Sequence, residues 1–274
     1  MTISTLDGLL AGLRPPLNFW KSGYTGEAAG RMHNLLAITG NPAAAVLGTP
    51  GMAGATVSAG DAIGGMFDFS NPASGNAYLA KMNVGVGLAI VGIILYDLLW
   101  YQSGIVVTTV GAQAINSVAW PSRCPPTPDT NGAGIEILLH AQVATTNAGI
   151  ISNTTLDYTN QAGTAGRTGT LLPSWPVTGV AGLIVPFGMQ GNDTGVRSIQ
   201  NITLGTSYVA GTINLMAVRR IAEVGLPAAQ TGVNVDAFGL GMPQLFNGSA
   251  LYLANLINTT SAGENVGTIS LAHG

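Results

Sequence analysis

Ionised side chains are scarce in this sequence: Asp, Glu, Lys and Arg make up 8% of its 274 residues, against roughly 25% in an ordinary soluble domain. Such scarcity goes with disorder only when hydrophobic residues are few, and here they reach 47%. The chain therefore folds around a core, and its polarity comes from Thr, Ser, Asn and Gln alongside 39 glycines. Hydroxyl and amide groups can be buried in a contact once hydrogen-bonded, whereas each buried charge costs several kcal/mol. A solitary soluble domain normally shows more charge to water. The composition thus predicts that neighbouring subunits cover much of the surface.

The fold class follows from the spacing of apolar runs and turns. Ser4 is placed to cap a short helix through Leu6, Leu9, Leu10 and Leu13 that stops at Arg14-Pro15-Pro16. A second short helix is expected from Thr25 to Leu36, ended by Gly40-Asn41-Pro42. The stretch to Gly75 is rich in Ala, Gly and Pro and reads as an extended arm or a set of loops. From Asn76 onward, strands are expected at Ala77 to Val84, Leu88 to Tyr101, Ile105 to Val118, Ile135 to Thr145, Ile150 to Asn160, Val180 to Phe187, Val196 to Leu204 and Gly211 to Arg219. Turn-rich segments separate them at Pro125 to Gly134, Gly163 to Gly169 and Gly191 to Gly195. No amphipathic helices alternate with these strands. The expectation is an all-β protein with a β-sandwich or jelly-roll core. It divides into an extended N-terminal arm over 1–75, a core over 76–220 and a C-terminal extension over 221–274, ordered against a neighbour.

The run from Val84 to Tyr96, VGVGLAIVGIILY, is wholly apolar. It is shorter than the roughly 17–25 residues of a spanning helix, Asp97 interrupts it, and it lacks a basic flank. Three glycines with Val, Ile and Tyr favour buried strands instead. The N-terminal residues Met1 to Asp7 lack the basic and apolar regions of a signal peptide, so synthesis and folding in a host cytoplasm are expected. On that expectation the sequons at Asn153, Asn192, Asn201, Asn247 and Asn258 need no glycan.

Signals for chemistry are few. A net charge of −3 with nine scattered basic residues, only Arg219-Arg220 adjacent, argues against direct nucleic-acid binding. The single cysteine, Cys124, reads as a buried thiol, with a cross-link between subunits as the other possibility. His33, His140 and His273 stand in no metal-ligand spacing, and His140 reads as a hydrogen-bonded strand residue. Asp97 is expected to pair with Arg or Lys or to face water. Asp193 suits an Asx turn, with Arg197 as a local ion-pair partner. The segment Gly163 to Thr170 lacks the lysine of a phosphate loop and reads as a hairpin loop. Gly239-Leu240-Gly241 reads as a flexible turn, since Gln244 stands where a dinucleotide fold needs its third glycine. Trp20, Trp100, Trp120 and Trp175 read as core or interface anchors ahead of a carbohydrate platform. No catalytic, cofactor-binding or metal-binding residue is expected.

The segment GNDTGVRSIQNITL over 191–204, with YTNQAG over 158–163, LLWYQSG over 98–104 and DGLLAGLRPP over 7–16, resembles poorly characterised structural proteins of tailed bacteriophages. The likeness extends to about Arg220. It implies a virion component, with capsid decoration as the post, the major capsid protein or other virion proteins as partners, and self-association. Tail, neck or baseplate placement and host-glycan binding are the alternatives.

Overall fold

The computed structural model describes residues 3–61, 63–87, 90–228, 230–260 and 263–274. Helix α1 (Leu6–Gly12) starts where the Thr5 hydroxyl accepts the Gly8 N–H, one residue after the expected cap. Strand β1 (Leu17–Lys21) follows. The helix expected from Thr25 does not form. Gly26 and Gly30 take positive φ values of 74° and 70°, which end any helical run. Beyond them, β2 (Met32–Asn34) finds backbone partners in two separate strands instead.

Two short bridges, β3 (Gly40–Asn41) and β4 (Ala55–Thr56), precede the main strands. These are β5 (Ala77–Val86), β6 (Ile90–Tyr101), β7 (Gly111–Ala114), β8 (Ile135–Val143), β9 (Thr154–Asn160), β10 (Arg167–Leu171), β11 (Leu183–Gly188), β12 (Val196–Leu204) and β13 (Thr212–Gly225). The chain after Arg220 supplies the end of β13, then β14 (Gly232–Val235), the helical turn α2 (Ala237–Leu240), β15 (Gln244–Leu245), β16 (Leu251–Ile257) and β17 (Asn265–His273). The protein is all-β, as its turn spacing predicts. Of the expected strands, Ile105 to Val118 shrinks most, to the four residues of β7. Leu88 and Ala89, which open the strand expected to reach Tyr101, lie outside the described residues.

The strand pairings are antiparallel throughout, and six of them close a ring: β2 to β16, β16 to β6, β6 to β13, β13 to β8, β8 to β11, and β11 back to β2. The far half of β11 leaves the ring to pair with β10, which leads through β9 and β12 to β7. A separate sheet runs β14, β5, β17, β1, β3, with β15 also on β5.

Three apolar cores follow from this plan. Ile94, Tyr96, Leu98, Leu138, Ile184, Met216, Val218, Tyr252 and Ala254 share one cluster and one side of the ring strands. The opposite side packs on sheets outside the ring. Leu139, Val185, Leu215 and their neighbours meet β9, β10 and β12, while Ile93, Leu95, Leu253 and Ile257 meet β5, β17 and β1. The first cluster is therefore the ring's interior. Strand β6 is covered on both faces, so it reads as an apolar run interrupted by one charge, Asp97. Each such Leu or Ile stabilises the fold by about 1.5–3 kcal/mol. Among the described residues, no helix is long and apolar enough to cross a membrane.

Candidate functional site

The most strongly built polar cluster lies where the two outer cores meet. Asp97 of β6 accepts the Ser249 hydroxyl and the Ala250 N–H, each at 2.8 Å. Two guanidinium groups flank it, Arg123 at 3.2 Å and Arg219 at 3.7 Å. Arg123 also donates to the carbonyls of Val57, Leu98 and Gly248 at 2.7 Å, which ties the segments around Val57 and Gly248 to ring strand β6. Arg219 donates to the Gln244 carbonyl and lies 4.6 Å over the Phe246 ring. Burial lowers the Arg219 pKa, and the neighbouring Asp97 opposes that shift. Cys124 beside this cluster is buried and unpaired, with its thiol pushed up by burial. All three charged members are buried, so the cluster is a rivet rather than a reaction centre.

The histidines do not converge. His140 stands inside the ring on β8, and His33 of β2 turns outward to accept the Ala28 N–H. Burial lowers His140 to about 3 and His33 to about 4. His273 accepts from Arg14 at 2.9 Å at the surface. Among the described residues, no three His, Cys, Asp or Glu side chains are placed to hold a metal ion.

Asp193 takes its partner from a different strand than expected. Arg167, at the start of β10, donates to it at 2.8 Å, with Tyr158 and Asn160 adding hydrogen bonds. The Arg167 hydrogen bond, aided by those of Tyr158 and Asn160, holds the Asp193 pKa down at about 2. The 191–195 turn folds over the β9–β10 hairpin and so reaches Arg167, while Arg197 is exposed. Glu136 pairs with Arg220 at 3.1 Å, and Asp157 accepts from Asn201 at 3.0 Å. Residues 161–166 form the β9–β10 hairpin loop. Gly239 lies in α2, which Asp236 caps and Gly241 ends at φ 70°. Trp100 packs on Trp120, and Trp175 on Tyr208, all buried; only Trp20 reaches the surface.

What the structure brings together, and the sequence reading did not single out, is one end of the strands. Residues 102–110, 144–153, 172–182 and 205–211 connect β6 to β7, β8 to β9, β10 to β11 and β12 to β13. Antiparallel pairing puts them at one end, because Thr212 stands opposite Val143, and Leu204 opposite both Thr154 and Gly111. None of these residues is charged. The loops are fixed to one another. The Thr145 hydroxyl accepts from the Trp175 indole and the Gly179 N–H and bonds Asn147, whose amide reaches the Pro176 carbonyl. Tyr208 donates its N–H to the Val107 carbonyl and shares a hydroxyl bond with Thr154. From this frame Val106, Val110, Ile150, Leu172, Val177 and Val209 project, each more than half exposed.

Two β-branched residues here hold positive φ, Thr178 at 55° and Val209 at 67°. That conformation costs about 1–2 kcal/mol for such side chains and suits glycine or asparagine better. The available sequence signal was the absence of charge from four long connections, where surface loops normally carry some.

No protein-family model and no curated protein matches the sequence. Among solved structures, the VP2 subviral particle of infectious bursal disease virus aligns over 95% of this chain and 80% of that one, at 10% identity and a TM-score of 0.19. A crystal structure of the infectious bursal disease virus particle aligns over 95% and 78%, at 12% identity and a TM-score of 0.19. TM-scores this low assign no common fold.

Proposed function

We propose that the chain is a structural subunit of a virus particle of the tailed-phage kind, sitting on the capsid as a decoration or cement protein. The observation that carries this reading is the rigid, uncharged loop end with its projecting aliphatic tips. A single subunit in water gains nothing from such a surface. A subunit held in a symmetric particle gains a contact that repeats at every equivalent position. The resemblance over 191–204 and its companion segments points the same way. Three of the four Trp side chains are buried, so they do not support the glycan-binding alternative. Mass spectrometry of purified virions should find the chain at high copy. A copy number near that of a single ring would move it to the neck or tail, and absence from virions would refute the reading.

A further inference from the structure

We infer that the uncharged loop end is where copies of this chain meet one another around a symmetry axis. The inference rests on the structural-subunit reading for its setting and adds the partner and the contacting residues. Close to a rotation axis each side chain faces its own copy, so a charge there meets a like charge at every repeat. A surface suited to an unlike partner is free to carry charge that the partner complements. A surface that meets itself does best with none. The four connections carry no Asp, Glu, Lys or Arg, although 21 such residues occur elsewhere in the chain.

The side chains at the tips agree with this occupant. Val, Ile and Leu are stiff or compact apolar groups that pack against copies of themselves at little entropic cost. Membrane-inserting loops favour aromatic residues at the interface with Lys or Arg behind them. Here Trp175 and Tyr208 are buried, and the connections hold no cation. The cross-bonded loops also lose little freedom on association, because Thr145, Asn147, Thr154 and Tyr208 already hold them. Thr178 and Val209 keep a strained backbone that asparagine or glycine would relieve, as expected where the side chain serves a contact rather than the turn.

The test uses the full chain and sedimentation velocity over a concentration series. The wild type should associate. Ile150→Asp and Val177→Asp should each weaken association about tenfold or more, since the new charge loses water and faces its own copies. Phe238→Asp, which removes the 97% exposed ring on α2, should leave association unchanged. Circular dichroism melting confirms that each variant folds. Val177→Cys with a bis-maleimide reagent gives an independent readout and should yield covalent dimers, since each chain offers one accessible thiol while Cys124 is buried. A wild type that stays monomeric at every concentration overturns the proposal. So does association that resists both Asp variants or falls equally with Phe238→Asp. A monomer that floats with neutral phosphatidylcholine vesicles overturns it as well, in favour of a lipid surface. Absence of the chain from virions would sink the particle reading yet leave a measured self-contact standing.

Discussion

Asp97 is surrounded by two buried guanidinium groups, and removing its charge strands both. Asp97→Asn should cost about 3–5 kcal/mol, the range for breaking one partner out of a buried pair. The denaturant midpoint measures it. Coupling predicts that Asp97→Leu combined with Arg219→Met loses less than the two single changes added together. The histidines set the response to acid. In the unfolded chain both take up a proton near pH 6.5, while folded His33 resists to about 4 and folded His140 to about 3. Both folded values are lowered, so the histidines' contribution to stability is complete above 6.5 and falls as the pH drops below it, by about 1.4 kcal/mol per unit for each. His140→Met, opposite Ile184 and Asn214 on the neighbouring strands, should roughly halve that slope; an unchanged slope between pH 6 and 4 would show the histidines are not its source. Val209→Asn should raise the melting temperature of the monomer, by relief of about 1 kcal/mol of backbone strain.

Strand β2 is three residues long and yet closes the ring, so the barrel depends on a short seam. Asn34 donates its N–H to the Gly182 carbonyl at 2.8 Å, and its side chain accepts the Leu36 N–H at 3.1 Å. Asn34→Ala leaves that buried donor without its acceptor and should cost about 1–3 kcal/mol. Hydrogen exchange should show faster opening at Leu36 and Ile184, with β5 and β17 unaffected. The same strand shows what the sequence could not disclose. Alternation and turn residues located β5, β6, β8, β9, β11, β12 and β13 because each carries its own apolar pattern. Met32–Asn34 carries none, and its conformation is dictated by β11 and β16, which are distant in sequence. The Gly-rich stretch after Arg220 likewise becomes legible only through pairing, since Asn265 to His273 follows β5 residue by residue with one shift. The loop end was hidden for a related reason. Its four pieces lie far apart in the chain, and only the antiparallel order of the sheets assembles them.

At the scale of the whole molecule, scarcity of charge has two distinct consequences. Many of the ions the chain keeps are placed in specific bonds: Asp97 with Arg123 and Arg219, Asp193 with Arg167, Glu136 and Glu223 with Arg220. They brace the fold and leave the loop end bare. Association through that end then depends on apolar burial and on neutral hydrogen bonds, which mobile ions do not screen. Raising sodium chloride from low to high concentration should therefore leave the association constant nearly unchanged. Ammonium sulfate, which is excluded from protein surfaces, should strengthen it. Cooling should weaken it, because the apolar driving force fades at low temperature. Sedimentation across a salt series and a temperature series measures all three. Dissociation on adding sodium chloride would mean that ion pairs hold the copies together, and the contact would then have to lie on one of the charged faces instead.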